Sequence, residues 1–320
     1  MHLLVTGGAG FIGSNFVELA LTGLFTRKVT SIDIVDSLTY AGNLENLAQS
    51  LTDPRVKFHE LNINDTQTLP ALVNEDTVVV NFAAESHVDR SISSSRDFVL
   101  TNILGVENLL SVCLEKGASR YVQVSTDEVY GSISTGSANE DSPLVTNSPY
   151  SASKASADLL TLSYFKTHDL PVNITRCTNN FGKYQHEEKF IPVVIKSLLA
   201  GRSVPVYGTG RNIREWIHVD DHCAGIAKVI EGGKIGEVYN FGTGNEKTNL
   251  DIVHEISEIL EIEEDLVDFV KDRSGHDFRY SVDFNKSMRD LGWEPRSDFQ
   301  TMLKETLEWY KLAHSDWVRN

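Results

Sequence analysis

The sequence predicts an α/β protein, with a doubly wound parallel sheet and a smaller, mixed α/β lobe at its C-terminal end. Three observations lead to this fold class. Short apolar runs alternate with helix-length segments through the first half of the chain, as they do in a parallel sheet covered by helices on both faces. A glycine-rich turn follows the first run, and the alternation weakens beyond Gly182. We therefore expect a Rossmann-like domain over residues 1–180, with segments returning to it from the second half of the chain, and a second lobe over residues 181–320.

The composition argues against several classes of function. The 320 residues include 29 Lys and Arg against 45 Asp and Glu, a net charge of −16, and no basic tract that would neutralise the phosphates of a nucleic acid. No apolar run reaches the roughly 18 residues of a membrane span. Cys113, Cys177 and Cys223 are odd in number and widely spaced, which argues against disulfides and a zinc site. We expect a cytoplasmic protein with no metal, nucleic-acid or membrane partner.

The first strand, over residues 2–5, leads into a turn that is typical of dinucleotide sites. The run Gly7-Gly8-Ala9-Gly10-Phe11-Ile12-Gly13 follows the strand, and a helical pattern follows the run. Glycines with this spacing permit a tight turn, close approach of the backbone to a pyrophosphate, and close helix packing. The N-terminus of the helix would attract the same pyrophosphate. The turn and its flanking elements together predict a dinucleotide site, although a glycine-rich turn alone would be a weak signal.

The second strand, over residues 29–35, indicates which dinucleotide binds. It ends at Asp36, whose carboxylate would accept hydrogen bonds from a ribose and repel a 2′-phosphate. No Arg follows Asp36 immediately, so the sequence favours NAD over NADP. Asp33 has a competing spacing, but it falls inside the strand, and we expect it to be structural or solvated.

Further strands should end at the same edge of the sheet, where ligands of open α/β sheets bind. The strand over residues 56–61 is followed by polar residues 62–65, which suit an adenine edge. The strand over residues 77–82 is followed by two alanines, which let a cofactor approach the backbone. A long helix over residues 95–116 then leads to a strand at residues 121–124, and another strand covers residues 172–176.

Two motifs carry the strongest chemical signal. Thr126, Asp127 and Glu128 follow the strand at residues 121–124, and Tyr150 and Lys154 lie one turn apart at the start of a helix over residues 150–168. Together they could abstract a proton, donate one and stabilise an oxyanion. Adjacent strand residues face opposite sides, so the two carboxylates must lie on a bend or a helix start. A surface Tyr–Lys pair and a helix cap are the simpler alternatives.

These motifs resemble the extended short-chain dehydrogenase/reductase family and, more narrowly, its dTDP-glucose 4,6-dehydratases. The resemblance covers nearly the whole chain. The run Thr126-Asp127-Glu128 is its discriminating part, because related sugar-nucleotide epimerases perform no dehydration and are expected to lack the Asp-Glu pair. The matching segments are residues 7–13, 36–43, 83–91, 125–131, 148–154, 179–180 and 272–277.

The resemblance implies NAD-dependent conversion of dTDP-glucose to dTDP-4-keto-6-deoxyglucose. Tyr150 would deprotonate the C4 hydroxyl with Lys154 beside it, Glu128 would remove the C5 proton, Asp127 would protonate the departing C6 hydroxyl, and Thr126 would hydrogen-bond the C4 oxygen. The implied cofactor residues are Gly7, Gly10, Phe11, Ile12, Gly13, Asp36, Ser37, Leu38, Thr39, Asn62, Ile63, Phe82, Ala83, Ala84, Ser86, Thr101, Tyr150, Lys154 and Asn180. The implied substrate residues are Ser86, Thr126, Asn179, Lys189, Phe190, Pro205, Val206, Tyr207, Arg214, Asn249, Arg273 and His276. A guanidinium fork suits phosphate oxygens, so Arg214 and Arg273 are expected at the diphosphate.

Several alternatives stay open at this point. Departures from the family pattern at Lys183, Phe190, Ser274 and Phe278 leave the choice between dTDP and UDP undecided, and Asn62, where the family has Asp, weakens the expected adenine contact. The alternative functions are the same chemistry on another nucleotide sugar, a nucleotide-sugar 4-epimerase and an NAD-sensing binding protein.

The resemblance also implies a homodimer, because the family pairs through the helices over residues 95–116 and 150–168. The loop over residues 132–149 is a surface excursion that could act as a lid.

Overall fold

The strands form one large sheet and two small ones in the computed structural model, which describes residues 1–296 and 298–318. The strands are β1 (His2–Thr6), β2 (Ser31–Asp36), β3 (Val56–Glu60), β4 (Thr77–Asn81), β5 (Arg120–Thr126), β6 (Val172–Cys177), β7 (Asn179–Phe181), β8 (Val204–Tyr207), β9 (Ile213–His218), β10 (Val238–Phe241), β11 (Glu246–Thr248) and β12 (Val267–Val270). The helices are α1 (Phe11–Thr22), α2 (Val88–Ser93), α3 (Arg96–Val99), α4 (Val106–Lys116), α5 (Pro149–His168), α6 (Phe190–Leu199), α7 (Val219–Gly232), α8 (Asn249–Ile259), α9 (Asn285–Leu291) and α10 (Phe299–Ala313).

The large sheet confirms the predicted fold class. Its seven strands are parallel and run in the order β10-β6-β5-β4-β1-β2-β3. Alternate residues of β1 face opposite layers: Leu3 and Val5 pack with α1 and α7, whereas Leu4 packs with α4 and α5. Because both faces are covered by helices, these strands are nearly continuous apolar runs. The strand order reverses beside β1, which opens a crevice at the carboxyl ends of β1 and β4.

A smaller lobe is built from the second half of the chain. The strands β11, β9 and β7 form a three-stranded sheet, and β8 pairs with β12. Residues of α6, α8 and α10 bury their apolar side chains against these strands around Trp216. The strand β10 comes from the same half of the chain but pairs with β6 in the large sheet.

The helix expected over residues 95–116 is irregular, which the sequence did not predict. The segments α3 and α4 are joined by a π-helical stretch at Leu100–Gly105, and such stretches are frequent at functional sites. The whole segment Arg96–Lys116 has the length and mean hydropathy, 1.4, of a membrane span, but 44% of its most apolar window is buried in the protein. A core helix of a globular protein passes the same test.

The loop over residues 132–149 is hydrogen-bonded to backbone groups of the C-terminal half of the chain. The N–H of Ile133 donates to the carbonyl of Arg279 at 2.9 Å, and the N–H of Ala138 donates to that of Ser281 at 3.0 Å. The loop ends at Ser148, whose hydroxyl caps α5 in a reciprocal capping box with Ser151. Its far end therefore fixes where the helix that carries Tyr150 begins.

Candidate active site

A cavity opens at the carboxyl ends of the central strands and gathers most of the residues that the sequence singled out. All five catalytic candidates line it: Thr126, Asp127, Glu128, Tyr150 and Lys154. The cofactor candidates line it with one exception; they are Gly7, Gly10, Phe11, Ile12, Gly13, Asp36, Ser37, Thr39, Asn62, Ile63, Phe82, Ala83, Ala84, Ser86, Thr101 and Asn180. The exception is Leu38, whose side chain packs on the core of the sheet.

The glycine turn makes a cradle that only glycine can form. Gly7 has a φ of +68°, and a Cβ there would lie 2.5 Å from the amide nitrogen of Ala83. A Cβ on Gly13 would lie 2.4 Å from the carbonyl oxygen of Gly7. The N-cap of α1, Gly10, supplies no side-chain cap, so the first N–H groups of the helix are left to an anion. This geometry fits the pyrophosphate of a dinucleotide.

Asp36 joins the second strand to the glycine turn. Its Oδ2 accepts a hydrogen bond from the Ala9 N–H and its Oδ1 accepts one from the Leu38 N–H, both at 2.9 Å. Burial raises the pKa of Asp36, and these two hydrogen bonds act against the rise. Asp33 has the structural role that was expected of it, since its Oδ1 lies 2.6 Å from the Nε2 of His59 on the neighbouring strand.

The helix α5 presents Tyr150 and Lys154 to the cavity. The Lys154 Nζ donates to the carbonyl of Val124 at 2.7 Å, and the ring of Tyr150 packs edge-on against Phe98 with centroids 6.3 Å apart. Burial raises the pKa of Tyr150 well above its usual value and lowers that of Lys154. Tyr150 can act as a base near neutral pH only if positive charge lies beside it. Lys154 follows one turn later on α5 and would supply one such charge, and the nicotinamide cation of NAD would supply another.

The two carboxylates reach one cavity because the chain bends at the end of β5. A 3₁₀ turn, Asp127–Tyr130, follows the strand directly, which confirms the expected helix start. The hydroxyl of Thr126 accepts a hydrogen bond from the Glu128 N–H and donates one to the Asp127 Oδ1, both at 3.2 Å. Thr126 therefore holds the carboxyl of Asp127 and the backbone at Glu128.

The environments of the two carboxyls suit opposite roles. Burial, followed by the charges of Glu128 and Glu215, raises the pKa of Asp127 well above its usual value. Its Oδ2 is buried and has no hydrogen-bond partner among the residues the structure describes, as expected of a carboxyl that waits for a ligand oxygen. Burial also raises the pKa of Glu128, but Arg273, Arg214 and Lys189 lower it. Asp127 is thus the better proton donor and Glu128 the better base.

The predicted substrate residues divide into two groups. Ser86, Asn179 and Lys189 line the cavity with Thr126, and the Lys189 Nζ donates to the carbonyl of Ser86 at 2.9 Å. The others do not line this cavity; they are Phe190, Pro205, Val206, Tyr207, Arg214, Asn249, Arg273 and His276. Lys189 therefore joins the smaller lobe to the loop that follows β4.

The two expected diphosphate arginines have different surroundings. Arg214 is buried, and its guanidinium donates to the backbone carbonyls of Ile213, Asp277 and Phe278. Arg273 lies 3.9 Å from Asp89, and its Nε is buried without a hydrogen-bond partner among the described residues. Of the two side chains, Arg273 has the freer donor for a phosphate oxygen.

Sequence reasoning missed several residues of the site. Gln185 and His186 line the cavity, and their position just after β7 was the available signal. Asn102, in the π-helical stretch, accepts from the N–H of Glu85 at 2.9 Å and donates to the hydroxyl of Ser153 at 2.8 Å. It thereby ties the loop after β4 to the helix of Tyr150. Among the described residues no cluster of three or more His, Cys, Asp or Glu could hold a metal ion.

Comparison with known proteins identifies the family. Residues 4–306 match the model of the GDP-mannose 4,6 dehydratase family. A dTDP-glucose 4,6-dehydratase of Actinoplanes sp. is 48% identical over 320 residues, which cover 99% of this chain and 100% of the relative. The low-salt glycan biosynthesis protein Agl12 of Haloferax volcanii is 50% identical over 310 residues, 97% of this chain and 98% of the relative.

A solved structure gives the same answer. The crystal structure of DesIV, a dTDP-glucose 4,6-dehydratase from Streptomyces venezuelae with NAD and dTDP bound, superposes with a TM-score of 0.97 at 48% identity. The match covers 99% of both chains. The chain therefore belongs to the family of dTDP-glucose 4,6-dehydratases, within the extended short-chain dehydrogenase/reductases.

Proposed function

We propose that this protein converts dTDP-glucose to dTDP-4-keto-6-deoxyglucose and water, with NAD bound and regenerated in each turnover. The observation that carries the proposal is the convergence of Thr126, Asp127 and Glu128 with Tyr150 and Lys154 on one cavity that begins at the glycine turn. A dehydrogenase needs only the last two of these residues. The acid and base beside them supply what the elimination of water requires.

The residues of the glycine turn and Asp36 would hold NAD, which supplies reversible hydride exchange with the sugar. Residues 1–180 would bind this cofactor, and the lobe over residues 181–320 would bind the nucleotide of the substrate. Support for NAD comes from the cradle at Gly7 and Gly13, where a Cβ would collide with the backbone. The carboxylate of Asp36 disfavours a 2′-phosphate at the end of β2.

Each catalytic residue has a defined task in this proposal. Tyr150 takes the proton from the C4 hydroxyl while Lys154 holds its charge beside the phenol, and Thr126 hydrogen-bonds the C4 oxygen. The ketone formed at C4 acidifies C5. Glu128 then removes the C5 proton, and Asp127 gives a proton to the departing C6 hydroxyl. The raised pKa of Asp127 suits this second role.

Thymidine is the nucleoside we favour, because the relatives with the same chemistry are named for dTDP-glucose. The departures at Ser274 and Phe278 lie close to Arg273, so UDP-glucose is the substrate to compare. We expect kcat/KM to be higher for dTDP-glucose than for UDP-glucose when both are assayed side by side. Equal or reversed values would assign the enzyme to another nucleotide sugar.

Replacement of Glu128 tests the assigned steps. Glu128→Gln should block elimination but leave C4 oxidation possible, so reduced cofactor should accumulate and be visible by its near-ultraviolet absorbance. Glu60→Gln changes an exposed carboxylate on β3 and should behave as the wild type. A Glu128→Gln protein that dehydrates at the normal rate would contradict the role of Glu128.

The product separates the alternative functions. A 4-keto-6-deoxy sugar absorbs strongly in the ultraviolet after alkali treatment, whereas a 4-epimerase yields an isomer that does not. An NAD-sensing binding protein would show bound NAD and no turnover. We expect the alkaline absorbance from the wild type with dTDP-glucose.

The protein is further proposed to form a homodimer through the helical segment Arg96–Lys116 and α5. Support comes from large apolar side chains left exposed there: Val99, Leu100, Leu104 and Leu159 are 44%, 39%, 48% and 60% exposed. Leu159→Glu should convert the dimer to a monomer in light scattering. Leu312→Glu, at an 83% exposed position on α10, is the matched control and should leave a dimer; a monomeric wild type would contradict the proposal.

A cytoplasmic location is also proposed. The three cysteines are unpaired and buried, which suits a reducing compartment. Cell fractionation should recover the protein with cytoplasmic markers, and recovery from the medium or an oxidising compartment would contradict this.

A further inference from the structure

A buried hydrogen-bond network of polar and charged side chains lies behind the cavity without lining it. Asp158 on α5 and Arg176 on β6 are 0% and 3% exposed. The Arg176 Nε donates to the Asp158 Oδ2 at 2.8 Å, and its Nη1 donates to the phenol oxygen of Tyr130 at 2.8 Å. That phenol donates to the Oδ1 of Asn240 on β10, again at 2.8 Å.

This hydrogen-bond network joins α5, which carries Tyr150 and Lys154, to the 3₁₀ turn that carries the two carboxyls. Asp158 follows Lys154 by four residues on α5, so the two side chains share one helix face a turn apart. Tyr130 is the last residue of the 3₁₀ turn that carries Asp127 and Glu128. Arg176 therefore connects the helix of the proposed base to the turn of the proposed acid.

Stability alone does not explain why these charges are buried. Charges removed from water lose solvation free energy, and a buried ion pair is often no more stabilising than a well-packed apolar pair. Lys154 and Arg176 bring two buried cations to this region, and Asp158 faces both. Burial raises the pKa of Asp158, and Arg176, the hydroxyl of Ser125 on β5 and Lys154 all act against that rise.

The other groups around Lys154 do not supply the negative charge that the Asp158 carboxylate places beside it. Burial lowers the pKa of Lys154, and Asp158 is the largest influence that raises it. Cys177 on β6 also acts in this direction, but burial raises the pKa of its thiol to about 12, so it is uncharged at neutral pH. Among the described residues, the other titratable groups whose charges act on Lys154, Asp158 or Tyr150 are Tyr121 on β5, Arg176 on β6, and Asp127 and Glu128 of the 3₁₀ turn.

We propose that Asp158, held in place by Arg176, is a positioning residue that keeps the ammonium of Lys154 charged and thereby keeps Tyr150 in its basic form. The inference rests on the proposed function, in which Tyr150 is the base. Once the Tyr150–Lys154 pair has lost one proton, it exists either as tyrosinate with ammonium or as phenol with free amine. Only the first form can take the C4 hydroxyl proton, and a carboxylate beside Lys154 favours it.

The pH dependence of Asp158→Asn distinguishes this role from a structural one. At alkaline pH the single proton loss should move from Tyr150 toward Lys154. A fall of about one unit in the pKa of Lys154 changes the ratio of the two forms tenfold, so kcat should fall by up to about tenfold. Toward acidic pH both proteins depend on the same rare tyrosinate, so the two kcat values should converge. A loss by the same factor at every pH would overturn the proposal.

A second readout does not depend on turnover. Ultraviolet absorbance is titrated against pH for the wild-type and Asp158→Asn holoenzymes, and for the same two proteins with Tyr150→Phe added. The difference within each pair reports how much of Tyr150 is tyrosinate. The plateau of this signal at neutral to alkaline pH should be lower in Asp158→Asn than in the wild type, and equal plateaus would overturn the proposal. If the wild type fails to convert dTDP-glucose, the proposed function fails, but this titration still decides the role of Asp158.

Two further variants guard against loss of folding. Asp158→Asn with Arg176→Met removes both charges of the pair and should show the same convergence at acidic pH. The control is Glu246→Gln, which breaks the ion pair in which the Arg279 Nε donates to the Glu246 Oε2 at 2.6 Å in the smaller lobe. It should change kcat by one factor at all pH values, and a pH-dependent loss in this control would overturn the assignment to Asp158.

Discussion

Asp127→Asn should make the protein more stable at neutral pH while it removes most of the activity. Asp127 is 3% exposed, and burial together with Glu128 and Glu215 raises the pKa of its carboxyl. In the unfolded chain an Asp titrates near about 4. Between that pH and the higher folded pKa the native state therefore binds more protons than the unfolded state, and stability falls as the pH rises.

The size of both effects follows from this position. One group contributes a slope of at most about 1.4 kcal/mol per pH unit in this window, and the asparagine variant lacks it. The Thr126 hydroxyl that donates to the Asp127 Oδ1 at 3.2 Å can donate equally to an amide oxygen. Loss of a general acid lowers a rate by about 10²–10⁴-fold, which corresponds to about 3–5 kcal/mol.

The assay is denaturant unfolding of wild type and Asp127→Asn from about pH 5 to 8, a window chosen to lie above the unfolded Asp value, together with kcat at each pH. The difference in unfolding free energy should grow with pH in favour of the variant. Asp76→Asn, at an exposed loop position, should give no such trend. A variant that is less stable than the wild type at neutral pH, with an unchanged pH slope, would refute the reasoning that Asp127 is held protonated.

Three further changes test other parts of the site. Gly7→Ala places a Cβ 2.5 Å from a backbone nitrogen at a φ of +68°, so the unfolding free energy measured by denaturant titration should fall by about 2–4 kcal/mol. The purified variant should also carry less NAD, and an unchanged NAD content would contradict the role of the glycine turn. Asp36→Ala leaves the buried N–H of Ala9 and the partly buried N–H of Leu38 without their acceptor, so stability should fall by about 1–3 kcal/mol. Calorimetry should also show weaker NAD binding, and unaltered affinity would contradict the ribose contact. Tyr150→Phe should lower kcat by about 10²–10⁴-fold, and no reduced cofactor should accumulate when it is combined with Glu128→Gln, whereas accumulation would assign the base elsewhere.

The cofactor half of the site was predictable because its signals are local in the sequence. A strand, a glycine turn and a helix follow one another within about 20 residues, and parallel strands bring the residues after them to one edge. Asp36 and the glycines therefore line the cavity as expected. Leu38 does not, because its backbone has a φ of +48° and its N–H turns back to Asp36. A leucine in a sequence gives no indication that its backbone will adopt a positive φ.

The substrate half depends on contacts between distant segments, which periodicity does not reveal. The sequence indicates that Arg214 carries a fork of donors, but only the fold shows that backbone carbonyls on two segments occupy it. Arg176 and Asp158 are 18 residues apart and meet only when α5 packs on β6. The π-helical stretch that places Asn102 also has no sequence signature that we could have used.

In the proposed reaction one hydrogen leaves C4 of the hexose as hydride and arrives at C6, and water departs between the two transfers. The most direct measurement is turnover of dTDP-glucose deuterated at C4, with the position of the label in the product read by nuclear magnetic resonance and mass spectrometry. We expect deuterium at C6 of the 4-keto-6-deoxy product, transferred within the same sugar. Deuterium retained at C4, or a product that keeps its C6 hydroxyl, would contradict it.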